Sequence, residues 1–435
     1  LAAGGGGLLG ACAAPGAAPA PGAAEGSLAG TTVEYWNMWA PTHPEEVARQ
    51  KVLDAFTAGN PERITVRTST AVGQTAADMD KVIAALAAGT PPDLINNWPY
   101  RLADVFAKGG TVDVDAELKG NAEWKRAREA IYPHLLPGFT WKGKLFGVPT
   151  HNSFDQMYYS PEALKRAGLA APPPKTWTWE QFTDYSRKAA RPPDVTGFDE
   201  PWTWHKTGLW ALSNGAKLSS ADGTKFLMAS PEYREAVEWL LGYMKAGLMR
   251  PHDGSGGGGY SEKLPQGGVV FQNGVAARIP LYRQQGTEFG TCFYPLGPRN
   301  TTKLNYTQGS PYAFSVFKSA DGRRVRAALL AALWAARPES GMTFAAIGGV
   351  TTSYKNIVES AAFQETFRKD ALSWPFHEAL PGSLPWPSFP TFEQAQTAAN
   401  TQLKAIWSGT TSVADGLKEA ERLGQQVLDE ALRGA

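Results

Sequence analysis

Acid–base, nucleophilic and metal chemistry need particular residues at particular spacing, and the 435-residue chain offers few. It has no Gly-x-Ser-x-Gly turn, no His-Glu-x-x-His pair, no Gly-x-x-x-x-Gly-Lys-[Ser/Thr] loop and no Cys-x-x-Cys. A Gly-x-Gly-x-x-Gly does run from Gly254 to Gly259, but it follows Pro251-His252-Asp253 instead of a strand, so it reads as a loop. Asp113, Asp115 and Glu117 alternate. A calcium loop would need a glycine turn and a distal glutamate, so they read as a solvated strand edge. Asp78 and Asp80 sit two apart on a helix and point different ways. The six histidines are scattered, none paired at metal spacing. No metal and no cofactor is expected. Two facing carboxyls could hydrolyse a glycosidic bond; Asp155 with Glu34, or Asp199 with Glu200, are the pairs to consider, though none stands at matched strand ends. What the chain does have is flat apolar surface, with 15 Trp. That excess calls for a large core or for a ligand with flat faces.

The elements that would position these residues begin with a β-branched, aromatic strand from Thr31 to Trp39. A helix from Glu45 to Ala58, a strand from Ile64 to Thr68, a helix from Ala76 to Ala88 and a short strand ending at Asn97 follow. That alternation implies a parallel sheet with crossover helices. Gly143 to Pro149 reads as a turn and a strand that must stop or bend at the proline. Gln156 to Tyr159 reads as a second short strand, and Thr178 as the cap of a helix opening at Trp179. Further helices are expected from Pro231 to Gly247, from Arg324 to Ala336, and at the end to about Leu432. A net charge of +1 points neither to nucleic acid nor to disorder, and 43% hydrophobic residues can fill a large core in two or three domains.

The first residues read as an address. Leu9-Gly10-Ala11-Cys12 matches a bacterial lipobox, with Cys12 as the lipidated residue, and residues 13–28 read as a flexible tether. Cys292 reads as a small buried hydrophobe. No apolar run after the leader approaches the roughly 18 residues of a membrane span.

The order of motifs resembles the extracellular solute-binding proteins of ABC importers, in the maltose-binding-protein-like group that binds sugars. The resemblance rests on Gly143 to Pro149, on Tyr158-Tyr159 with Ser160 where Asn is usual, and on Pro174-Lys175-Thr176-Trp177 with Glu180 and Phe182. Gly89 to Leu94, Phe271 to Ala277 with Arg278 where Met is usual, Gly309 to Val316 and Gly409 to Leu417 extend it over roughly residues 31 to 432. It implies a two-lobed α/β periplasmic-binding-protein fold, each lobe a mixed or parallel sheet flanked by helices, with a ligand cleft between. The lobes would be 31–149 plus 280–310, and 150–279 plus 311–435, with crossings near 150, 279 and 311. It also implies a lipid-anchored monomer outside the cytoplasmic membrane that is not an enzyme. Such a protein delivers a di- or oligosaccharide to permease subunits and binds no nucleic acid. The alternative within the family is a glycerol-3-phosphate or glycerophosphodiester ligand, which needs an anion site such as Arg278 or Arg283. The alternative from another class is a lipid-anchored glycoside hydrolase.

A sugar cleft needs aromatic planes for the apolar ring faces, with donors and acceptors for the hydroxyls. Ligands of open α/β sheets lie beyond the carboxyl ends of strands. The candidates are therefore Trp36, Asn37 and Trp39 after the first strand, and Asn97 and Trp98 after the third. His151, Asn152, Ser153 and Asp155 would lie at the first crossover, and Trp202 and Trp204, with Trp210, in the second lobe. Tyr282, Gly309, Ser310, Tyr354, Trp374 and Trp386 complete the set.

Overall fold

β1 (Thr32–Asn37) alternates as a half-buried strand should, with Val33, Tyr35 and Asn37 buried and Glu34 and Trp36 between them. α1 (Pro44–Gly59) starts on a proline, and the His43 ring accepts from the Glu45 N–H at 3.3 Å. β2 (Thr65–Thr70), α2 (Ala76–Ala87) and β3 (Leu94–Asn97) follow, and β2 and β3 flank β1 in parallel. The computed structural model describes residues 26–70, 76–173, 175–220, 222–249, 263–301, 308–319 and 321–434. Cys12 and the Gly254 to Gly259 stretch lie outside them.

α3 (Pro99–Ala107), α4 (Val114–Glu117) and α5 (Ala122–Ala130) come next. The acids expected on a strand edge instead open α4. Asp113 is at its N-cap position, and Asp115 and Glu117 are in the first turn, where carboxylates suit the helix dipole. Asp115 accepts from Trp124 Nε1 at 3.0 Å. β4 (Thr140–Trp141) and β5 (Lys144–Leu145) form a hairpin whose turn residues, Lys142 and Gly143, have φ of 47° and 74°, as a tight hairpin turn requires.

β6 (Val148–Tyr159) is one strand of 12 residues, not two strands broken at Pro149. The proline is its second residue, so the ladder loses one donor near an end and survives. α6 (Pro161–Arg166), α7 (Trp179–Ala189), β7 (Thr196–Asp199), α8 (Trp204–Ser213) and α9 (Pro231–Lys245) lead to β8 (Val269–Val275), α10 (Arg278–Gln284), β9 (Gly290–Cys292) and β10 (Gln308–Val316). Thr178 caps α7 reciprocally with Gln181, and buried Trp177 donates to the Phe293 carbonyl at 2.7 Å. α11 (Gly322–Trp334), α12 (Pro338–Gly348), β11 (Thr351–Thr352), α13 (Lys355–Val358), α14 (Ala361–Phe367), α15 (Trp374–Glu378), β12 (Leu384–Pro385), α16 (Phe392–Trp407) and α17 (Val413–Arg433) complete the chain.

The strand order is β2-β1-β3-β10-β6-β8-β7. β6 ties the two lobes together. Its first half pairs with β10 and β11, and its second half, from Asp155, pairs with β8 and β9. This pairing departs from the expected division of the chain. β9, in the 280–310 segment expected with the first lobe, joins the second half of β6, while β10 joins β3. Cys292 is fully buried, and no helix among the described residues is long and apolar enough to cross a membrane.

Candidate functional site

The carboxyl ends of parallel β1 and β3 lie side by side, with Trp36 opposite Ile95. Trp39, just past β1, stacks on His43 (4.1 Å, 8°) and meets Trp98 edge-on at 6.4 Å. Trp98 is held in extended conformation at the start of α3 by Pro99, stacks on Tyr100 at 5.8 Å, and has the Arg101 guanidinium over its ring at 4.8 Å. The structure thus brings Trp39 and Trp98 together on the first wall, with Trp36 half-buried against the core.

Unpartnered polar groups lie at the end of β1 and along β6. Asn37 Oδ1, Ser153 Oγ, Asn152 Oδ1, both amide atoms of Gln156, and Nε1 of Trp39 are buried without a hydrogen-bond partner. Native proteins leave few such groups, and each asks for an explanation. Asn152 also donates to Ser353 Oγ at 3.0 Å, and Asn97 is spent locally, accepting from the Trp98 N–H at 2.8 Å. The backbones of Gly309 and Ser310 pair with Phe154 and Ser153.

The second wall starts at Asp155, where β6 changes partners. Its buried carboxylate accepts from Lys206 Nζ at 2.7 Å and His205 Nε2 at 2.9 Å. Burial alone would raise this carboxyl, but the Lys206 ammonium and then His205 hold it well below the usual carboxylate range. Both partners sit in the first turn of α8, whose N-cap Thr203 accepts from the Lys206 N–H. Lys206 Nζ also donates to Asn273 Oδ1, Asn273 Nδ2 to Tyr294 OH, and Tyr294 OH to Glu200 Oε1 at 2.9 Å. Trp210 Nε1 donates to the other Glu200 oxygen at 2.6 Å. Burial nevertheless pushes the Glu200 carboxyl up to about 8. His205, its side chain 29% exposed, stands edge-on to Trp386 at 4.0 Å. Trp386 also borders a cavity of about 350 Å³ with Trp141, Ser219 and Asp222.

Several candidates turn out to be internal. His151 is fully buried between Tyr312 (4.5 Å) and Phe344 (4.7 Å), with Nε2 3.5 Å from Glu45, so it faces the α1 side of the strand and not a ligand. Tyr282 is buried and accepts from Gln272 Nε2 at 3.0 Å. The Tyr354 hydroxyl is spent on the Pro149 carbonyl at 2.7 Å. The Trp374 ring meets Arg368 and His377, apart from the other candidates. Trp202, Trp204 and Trp210 are core, and Trp204 packs on Phe226, Phe392 and Trp386. The acids weighed for hydrolysis are each engaged: Glu34 by Arg67 at 2.6 Å, Asp199 by Lys263 at 2.6 Å, Asp155 and Glu200 as above. Of the arginines weighed for an anion, Arg283 donates through Nη2 to both carboxylate oxygens of Asp370 (2.7 and 2.9 Å). Arg278 is half-buried and close enough to His43 to help lower it. His205 and Lys206 escaped the sequence reading, since nothing in a linear pattern ties them to an aspartate some fifty residues earlier.

A family model described as bacterial extracellular solute-binding protein matches residues 51–370. The sn-glycerol-3-phosphate-binding periplasmic protein UgpB of Brucella abortus (strain 2308) is 27% identical over 206 residues, 45% of each chain. The chain spans about half the length of the curated relatives it matches. Among solved structures, the cyclic alpha-maltosyl-1,6-maltose binding protein from Arthrobacter globiformis superposes with a TM-score of 0.77 at 18% identity, over 92% of this chain and 99% of that one. UgpB from Mycobacterium tuberculosis in complex with glycerophosphocholine gives 0.74 at 15% identity, over 92% and 99%. At these identities the likenesses show the fold: two lobes of α/β structure.

Proposed function

For a chain that belongs to the bacterial extracellular solute-binding proteins, we propose the capture of a neutral di- or oligosaccharide between the lobes and its delivery to an ABC permease. The observation that carries this is the Trp39–Trp98 pair just past the ends of β1 and β3, with Asn37 Oδ1 and Trp39 Nε1 buried and unpartnered at the end of β1. A pyranose matches both, because its hydroxyls donate and accept while its C–H faces lie on aromatic rings. In this reading the protein works as a monomer outside the cytoplasmic membrane, held there by lipid on Cys12. The ligand favours the closed arrangement of the lobes, and that difference in affinity drives closure.

A second reading is a glycerophosphodiester. It is supported by the Brucella relative, by the glycerophosphocholine complex among the structural neighbours, and by the nearness of Arg278 to His43. A thermal-shift screen separates the readings. Mono-, di- and oligosaccharides, glycerol 3-phosphate and glycerophosphocholine are each added, and a ligand of the native state raises the melting temperature by mass action. A rise with a saccharide, recovered intact after long incubation, is expected. A rise with the phosphate compounds alone would favour the second reading, and cleaved glycan would reopen the question of hydrolysis.

A further inference from the structure

Asp155 decides which nitrogen of His205 holds the proton. A carboxylate only accepts, so Nε2, 2.9 Å from Asp155 Oδ2, carries the hydrogen, and Nδ1 is left with its lone pair. Lys206, the next residue, already balances the same carboxylate at 2.7 Å. A second cation here would face that ammonium, and burial together with Lys206 holds His205 below the ordinary histidine value. The ring is also fixed in place. It lies in the capped first turn of α8 and stands edge-on to Trp386, with an interplanar angle of 79°. Asp155 and Lys206 have side-chain exposures of 0% and 4%, but His205 has 29%, so His205 is the part of the cluster that reaches open space.

We propose that His205 offers Nδ1 as a hydrogen-bond acceptor to a ligand hydroxyl beside Trp386, and that this acceptor favours a hydroxyl over a phosphate group at that point of the ligand. The inference rests on the carbohydrate reading of the cleft. A hydroxyl can turn its hydrogen toward Nδ1. A phosphate group has only acceptor oxygens and a charge, so its oxygens would face a lone pair with no hydrogen between them. The glycerol hydroxyls of a glycerophosphodiester donate as a sugar's do, so the selection is against a phosphate group at this point.

The test uses the full chain with two kinds of readout. In long-range nitrogen–proton NMR at neutral pH, His205 should show the neutral ring with hydrogen on Nε2; an imidazolium or the Nδ1–H form would overturn the proposal. Calorimetry then compares the native protein with His205→Phe and His205→Lys, against the saccharide giving the largest thermal shift and against glycerophosphocholine. His205→Phe should weaken saccharide binding by about 3–10-fold, the size of one neutral hydrogen bond. His205→Lys should weaken saccharide binding and improve glycerophosphocholine binding. Melting curves of both unliganded variants check that they fold. Unchanged saccharide affinity in His205→Phe would defeat this inference and leave the carbohydrate reading standing. If no saccharide binds the native protein at all, both fall together.

Discussion

At the scale of single residues, the Asp155–Lys206 pair is where charge has been committed to the interior. Both side chains are buried, and Lys206, ahead of His205, offsets the burial that would otherwise raise the Asp155 carboxyl. Removing Lys206 takes the main counter-charge from a buried carboxylate and leaves it only the His205 hydrogen bond, and breaking a buried pair typically costs about 3–5 kcal/mol. Lys206→Met should therefore lower unfolding stability by about that much in urea titrations followed by tryptophan fluorescence. The double variant Asp155→Asn, Lys206→Met should recover part of the loss, and a cost under about 1 kcal/mol for the single change would show that the pair does not hold the wall. Only one side of this pair was legible in the sequence. Asp155 drew attention because it follows a recognisable strand, whereas Lys206 looks like any lysine near a helix start. His151 was drawn in by its position at the same expected crossover and is buried, because position along the chain does not say which face a side chain takes. Trp202, Trp204 and Trp210 stood out by their rarity. A tryptophan fills a core as readily as it stacks on a ligand, and these fill the core.

At the scale of elements, the starts of α3 and α16 meet. Arg101 pairs with Glu393 at 2.6 Å, and Tyr100 lies against Phe392 at 5.4 Å. α3 packs on β10, and α16 packs on α8 and α17, so this contact bridges structure from both halves of the sheet. Under the proposed closure, a contact of this kind would favour the closed arrangement. Glu393→Ala should speed ligand release by roughly 3–10-fold and leave the association rate nearly unchanged, because differences within one interface appear mainly in dissociation. Stopped-flow tryptophan fluorescence reads both rates, and an unchanged release rate would remove α3 and α16 from any account of closure. The sequence as read showed neither helix, and no local pattern shows their meeting, which joins residues almost three hundred positions apart. It also misjudged β6. The proline was read as a strand breaker, and it is harmless where it costs the ladder one donor beside the strand's start.

At the scale of the whole molecule, the fold was legible because many weak motifs recur in a fixed order over most of the chain, and order constrains topology more than any single motif does. The segment boundaries were less legible, since whether β9 and β10 join one half of the sheet or the other depends on long-range pairing that leaves no local trace. Buried titratable groups in both halves give the molecule a shared pH response. Burial holds His43 and His377 down to about 4, so the unfolded chain takes up their protons first. Their contribution to stability is full above the unfolded value near 6.5 and is lost as pH falls toward 4. Glu200 acts in the opposite sense. Its folded carboxyl, at about 8, keeps a proton that the unfolded chain gives up near 4.5, so its contribution is full below that value and declines up to about 8. Between 4.5 and 6.5 two histidines outweigh one glutamate, and above 6.5 the glutamate acts alone, so stability should peak near pH 6.5. From 6.5 to 8 the native protein should lose on the order of 2 kcal/mol, at about 1.4 kcal/mol per pH unit for one proton. Urea titrations across this range should show the fall, and Glu200→Gln, which keeps a neutral group on Trp210 and Tyr294, should flatten it. An equal fall in the variant would place the alkaline limb elsewhere and make Glu200 an ordinary ionised carboxylate.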